Sequence, residues 1–148
     1  MKVRLNVSAG RYEALKTQLE AQGIEVDEAA DLVLSEERQF WDTVMVRRGE
    51  ERIFLPAGEI VYMEARGRMV EVHAKDGVYQ SGERLYRLAA GLDPENFLRI
   101  SNAVIVTKSK VRRIKPTLSM KFILTMEGGA QVDVTRSYYY IFKEAFGI

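Results

Sequence analysis

From Thr43 onward, apolar and polar residues alternate in short runs broken by turn-forming residues. A period of two is what a half-buried strand imposes, because successive side chains point to opposite faces. Residues 43–47 and 51–54 read as strands paired around Arg48-Gly49, and Pro56 and Gly58 mark a turn before a strand at 60–64. Residues 69–74 and 78–81 flank Lys75-Asp76-Gly77; Asp-Gly between alternating segments signals a hairpin. The period then lengthens. Leu85, Leu88, Ala89 and Leu92 share one helical face within 81–92, and Asp93-Pro94 ends that helix. Residues 103–106 read as a buried strand and 111–114 as another. Residues 121–126 and 130–134 form a hairpin around Gly128-Gly129. Thr135 or Ser137 can cap a last helix with the stripe Tyr138, Ile141, Phe142 and Ala145. The pattern predicts a mainly β fold with short helices, of the α+β class.

The first 42 residues read differently. KVRLNV alternates as a strand, Ser8 can cap a helix over 9–22 with the stripe Tyr12, Leu15 and Leu19, and Gly23 stands at its stop. Residues 24–26 and 31–34 are short strand candidates. The expected organisation is a small acidic β-α-β extension at 1–42, joined near 35–42 to a main domain at 43–148.

Charge follows the same division. Residues 1–43 hold 5 Lys and Arg against 9 Asp and Glu, a net of −4, whereas 44–148 carry +5. An acidic head on a basic body suggests two modules with different partners. The chain has no cysteine, which excludes disulfides, zinc–thiolate sites and thiol catalysis. No apolar run reaches the roughly 20 residues a membrane helix needs, and the N-terminus lacks the apolar segment of a signal peptide. A cytoplasmic protein is expected.

The basic excess is concentrated. Between Arg99 and Lys121 stand seven Lys and Arg and no Asp or Glu. Cations flanking a fixed strand are the electrostatic footprint of a nucleic-acid binder; a solvated Lys-rich loop is the plainer alternative. Other conspicuous residues read as structural. His73 is the sole histidine and has no partner cluster for a metal. Trp41 and the Tyr138–Tyr140 run suit packing or an interface, and Glu50/Glu51 falls in a loop without catalytic geometry. No phosphate-binding loop, nucleophile elbow or zinc signature is present. The sequence implies no catalysis, cofactor or metal.

Three stretches, LPAGEIVYMEARGRMVEV, LYRLAAGLDPENFLRISNAVIVTKSKVRRI and GGAQVDVTRSYYYIFKEAF, occur in an order and spacing that resemble the LytTR family of bacterial DNA-binding domains. The middle stretch carries the specificity. The family's F-x-R-I/C-H-x-S-x-I-V-N corresponds to Phe97, Arg99 and Ile100 through Thr107. Departures are Ser101 for His, Ala103 for a basic residue or Ser, and Thr107 for Asn. The resemblance implies an elongated multi-sheet β domain whose loops enter successive major grooves of duplex DNA. By motif position it assigns base contacts to Arg68, Asn102 and Arg136. Phosphate contacts fall to Arg66, Arg99, Ser101, Lys108, Lys110, Lys115 and Ser137, with Lys121 a weaker member.

The side chains suit those assignments. An Asn carboxamide presents a donor and an acceptor matched to adenine N6 and N7, although an Asn can also simply hold a turn. A guanidinium such as that of Arg136 can read guanine O6 and N7. Arg66 and Arg68 flank Gly67 in a tight loop. Arg112 and Arg113 are adjacent on a strand, so at most one should face DNA from a given side.

The reading that results is a transcriptional regulator without a receiver domain, bound to repeated sites as a homodimer or cooperative pair. The head is too short for a receiver; it could cap a sheet edge, mediate dimerisation or bind a protein regulator. The alternatives are a protein-binding adaptor that has lost DNA readout, motivated by the three departures, and a small β enzyme or ligand binder with a deep polar pocket.

Overall fold

The structure is a computed structural model, which describes residues 1–7, 9–36 and 40–148. The chain divides into two units, Met1–Gln39 and Phe40–Ile148.

The first unit contains strand β1 (Lys2–Asn6), helix α1 (Ala9–Ala21), β2 (Glu25–Val26) and β3 (Leu32–Ser35). Its strands form a parallel sheet of their own, ordered β2-β1-β3. Gly23, at φ +79°, ends the helix as its position implied. The proposed cap, Ser8, lies outside the described residues. Val3 is the buried apolar residue of this unit, α1 buries none of its side chains, and β3 is exposed throughout.

In the second unit a seven-stranded antiparallel sheet has the order β5-β4-β8-β7-β6-β10-β9. It is built from β4 (Thr43–Arg48), β5 (Glu51–Pro56), β6 (Ile60–Arg66), β7 (Met69–Ala74), β8 (Gly77–Ser81), β9 (Phe97–Arg99) and β10 (Val104–Thr107). Helix α2 (Leu85–Gly91) connects β8 to β9. A second antiparallel sheet, ordered β11-β12-β13, comprises β11 (Val111–Pro116), β12 (Phe122–Met126) and β13 (Gln131–Val134). Helix α3 (Tyr139–Phe146) closes the chain. The mainly β expectation holds, and each glycine-marked hairpin occurs where the turn residues placed it. Strand β9 was not anticipated.

Two cores result. Leu85, Leu88 and Leu92 pack with Val44, Val46, Leu55, Met63, Val72 and Ile105 in one. In the other, Val61, Tyr62, Val104 and Val106 meet Leu124, Met126, Val134 and Phe142. Strands β6 and β10 therefore contribute to both, and all four residues of β10 are buried. The Thr107 hydroxyl donates to the Ile60 carbonyl at 2.6 Å, beside a register shift in β6. That bond satisfies a buried polar group which would otherwise cost stability.

Two local expectations are corrected at the last helix. No side chain caps it: its N-cap is Tyr138, and Thr135 instead precedes a 3-10 turn at Arg136–Tyr138 without a side-chain bond. Its packed face includes Tyr139, whose ring stacks on Phe122 at 5.0 Å, whereas Ile141 is exposed. The 3-10 turn rotates the helix face relative to an uninterrupted helical reading.

Gly91 receives the single tryptophan. Trp41 N–H donates to the Gly91 carbonyl at 2.8 Å, and a β-carbon on Gly91 would collide with the indole. Gly91→Ala should therefore displace the ring into solvent; a red-shifted tryptophan emission checks this. His73 stacks on Tyr62 at 4.1 Å, and its Nε2 is buried without a partner. Burial holds its pKa below 6.5, against the pull of Glu71 and Glu64. The unfolded chain then binds the proton first as pH falls below about 6.5. Stability should decline from there down to the depressed folded pKa. His73→Phe should remove that decline in thermal melts at pH 7.5 and 5.5.

Candidate nucleic-acid interface

Gly67 and Arg68 form the two-residue turn between β6 and β7, with Gly67 at φ +60°. A positive φ at the first turn position is a glycine role in tight hairpins, and it leaves Arg68 exposed at the tip. Asn102 is exposed in the turn between β9 and β10, and Arg136 is exposed where β13 gives way to the 3-10 turn. These three positions come from segments far apart in sequence. Main-chain bonds join the segments that flank them. Ala65 N–H donates to the Ala103 carbonyl at 2.7 Å, and Thr135 N–H donates to the Ile100 carbonyl at 3.0 Å.

The Asn102 turn is fastened from within. Arg99 Nε donates to the Ser101 carbonyl at 3.2 Å, and its Nη2 donates to the Asn102 carbonyl at 2.8 Å. Ser101, buried, accepts the Ala103 N–H on its hydroxyl at 3.1 Å. Ile100 N–H donates to the Val104 carbonyl at 3.0 Å. On the Asn102 side chain, the Tyr138 hydroxyl donates to Oδ1 at 3.1 Å. An open hollow of about 200 Å³ beside this turn is lined by Arg68, Arg84, Arg99, Glu83 and Tyr86.

The other cations differ in how free they are. Arg66 lies between Glu64, at 2.9 Å, and Glu71, which face each other across β6 and β7. Both carboxylates raise its pKa, and the trio carries a net charge of −1. Lys110 Nζ is 3.6 Å from Glu127 on a side chain only 13% exposed, and Arg112 reaches the same carboxylate at 2.7 Å. Lys75 alongside, together with burial, holds the Lys110 ammonium below the usual lysine range, against the pull of Glu127. Burial pushes the Glu127 carboxyl up, but Lys110, Lys75 and Arg112 outweigh it and leave its pKa depressed. Arg113, Lys115, Lys121 and Ser137 are exposed, and Lys108 approaches the Phe146 ring at 5.8 Å.

Sequence reading missed Tyr138 as a partner of Asn102, for which it offers no signal, and Arg84 in the hollow. The Glu64/Glu71 pair was accessible in principle, because a two-residue turn at Gly67-Arg68 fixes that register. Among the described residues no cluster of metal-ligating side chains occurs, and no helix is long and apolar enough to cross a membrane. The geometry predicts that Ser101→Ala, by removing the acceptor of the Ala103 amide, raises its hydrogen-exchange rate by roughly three- to tenfold. Amide exchange by NMR measures it.

Residues 50–147 match the family described as the LytTr DNA-binding domain. Sensory transduction protein LytT of Enterococcus faecalis is 28% identical over 102 residues, covering 68% of this chain and 42% of that protein. Sensory transduction protein LytT of Bacillus subtilis is 23% identical over 90 residues, 61% of this chain and 37% of that protein. The chain thus matches well under half the length of these relatives. A LytTr DNA-binding domain from Bacillus cereus shares the fold, with a TM-score of 0.70 at 24% identity over 73% of this chain and 99% of that one.

Proposed function

The chain belongs to the LytTr DNA-binding domain family, and from that premise we propose that it is a transcriptional regulator that binds duplex DNA with sequence preference and performs no catalysis. One observation supports this most: Arg68, Asn102 and Arg136 are exposed on turns whose flanking segments are joined by hydrogen bonds. In this reading they contact base edges in the major groove, Asn102 through its carboxamide and the arginines through guanidinium forks.

The phosphate-contacting set divides by availability. Lys108, Lys115 and Ser137 act directly on the DNA backbone. Strand β10 carries the chain roughly 13 Å from Val104, beside the Asn102 turn, to Lys108. That distance is comparable with a major groove about 12 Å wide, so a lysine there meets a flanking strand. Lys110 contributes through the surplus positive charge that it shares with Lys75 and Arg112 around Glu127. Arg99 and Ser101 act chiefly by shaping the Asn102 turn. Arg66 reaches a phosphate only by exchanging a glutamate for it.

The adaptor reading rests on Ser101, Ala103 and Thr107. Ser101 and Thr107 are buried in hydrogen bonds and Ala103 packs against a core. Substitutions that face inward leave the exposed reading groups in place, which favours DNA binding over the adaptor. The acidic 1–42 extension, in the same proposal, stays off DNA and serves a second copy or a protein regulator. Pairing of two copies on repeated sites raises affinity through effective concentration.

The test is selection of bound duplexes from a random pool, by the wild type and by Asn102→Ala combined with Arg136→Ala. The wild type should enrich a repeated motif, and the double variant should lose it. Binding of the motif should weaken by roughly 10- to 1,000-fold, while the salt slope changes by only about one unit through Arg136. A wild type that enriches no sequence would overturn the proposal and favour the adaptor.

A further inference from the structure

Asn102 presents an ambiguous reader, because rotation of its carboxamide by half a turn exchanges donor and acceptor. In this structure the rotation is tied to another residue. The Tyr138 hydroxyl donates to Oδ1 at 3.1 Å, and the exposed amide NH₂ must then point away from Tyr138. Tyr138 itself is held. It packs against the second core, its N–H donates to the Thr135 carbonyl at 2.9 Å, and it ends the short turn that begins at Arg136. The backbone beneath Asn102 is fixed independently by Arg99 and Ser101. Only the side-chain torsions of Asn102 are left free by those bonds, and the Tyr138 bond restrains them.

We infer that Tyr138 is a specificity-determining positioning residue, whose hydroxyl sets the Asn102 carboxamide donor outward for a purine N7 and leaves the second Oδ1 lone pair to accept from adenine N6. The inference rests on Asn102 as a base contact. It adds a group that touches no base and a chemical commitment, adenine, at the pair that Asn102 reads. It also joins two reading positions in one unit, since Arg136 lies two residues before Tyr138 on the same turn.

Tyr138→Phe keeps the ring and its packing and removes only the hydroxyl. On the duplex selected by the wild type it should weaken binding by roughly three- to tenfold. Discrimination at a single base pair should shrink, with an unchanged salt slope and a little-altered thermal midpoint. Adding it to Asn102→Ala should cost less than about twofold more, the limit for independent behaviour being full additivity. Tyr138→Phe that binds and discriminates like the wild type would overturn the inference. So would an undiminished loss on the Asn102→Ala background, which would show that Tyr138 acts without Asn102. If Asn102→Ala itself binds normally, the base-contact assignment fails, and this inference with it. A readout without DNA is the side-chain NH₂ pair of Asn102 in the free protein by NMR. Tyr138→Phe should shift that pair and lower its order parameter as the carboxamide gains freedom about Cβ–Cγ; an unchanged order parameter would also count against the inference.

Discussion

Strand β10 is buried on both faces, and the arrangement of the second unit depends on that constraint. Val104, Ile105, Val106 and Thr107 are each less than a tenth exposed, and the three aliphatic ones are divided between two hydrophobic clusters. A strand without a solvent face has little freedom of register, because a one-residue slip would exchange every side chain between the cores. The bond from Thr107 to the Ile60 carbonyl fixes it further against β6. Asn102 precedes this strand by two residues and inherits its position. An exposed residue on a turn is normally among the more mobile parts of a protein. Here its backbone is continuous with one of the least exposed segments in the chain.

The basic stretch therefore does two kinds of work. Arg99 turns its guanidinium inward onto two carbonyls, and Ser101 does the same with its hydroxyl. Arg66, Lys110 and Arg112 are matched with carboxylates. The pairs made by the exposed Arg66 and Arg112 contribute little to stability, but all three determine which charges a polyanion meets. A count of Lys and Arg overstates the free charge and misses its division between holding the surface and presenting it.

Much of this fold was legible because its punctuation is local. Gly49, Gly67, Gly77, Gly128 and Gly129 all take positive φ at or beside hairpin turns, and the flanking alternation identifies the strands. Strand β9 was not legible. Phe97–Arg99 is three residues long, and it is a strand because β10 lies beside it, a fact absent from its own composition. The face of α3 was misread because a 3-10 turn precedes it and exchanges the expected packing of Ile141 for that of Tyr139. Arg68, Asn102 and Arg136 could be named from motif positions. Their convergence could not, since it depends on main-chain bonds between segments far apart in sequence, Ala65 with Ala103 and Ile100 with Thr135, and on the Tyr138–Asn102 bond across 36 residues.

The Asn102 turn is held by its neighbours' side chains and by main-chain groups, so its conformation asks little of residue 102 itself. Such a position can accept another side chain while the loop keeps its shape. On the proposed base-contact role of Asn102, a lineage could therefore drift from one recognised base pair to another by single substitutions, each passing through a folded protein. In that proposed role, the same scaffold gives an engineer a site at which recognition and folding can be varied separately.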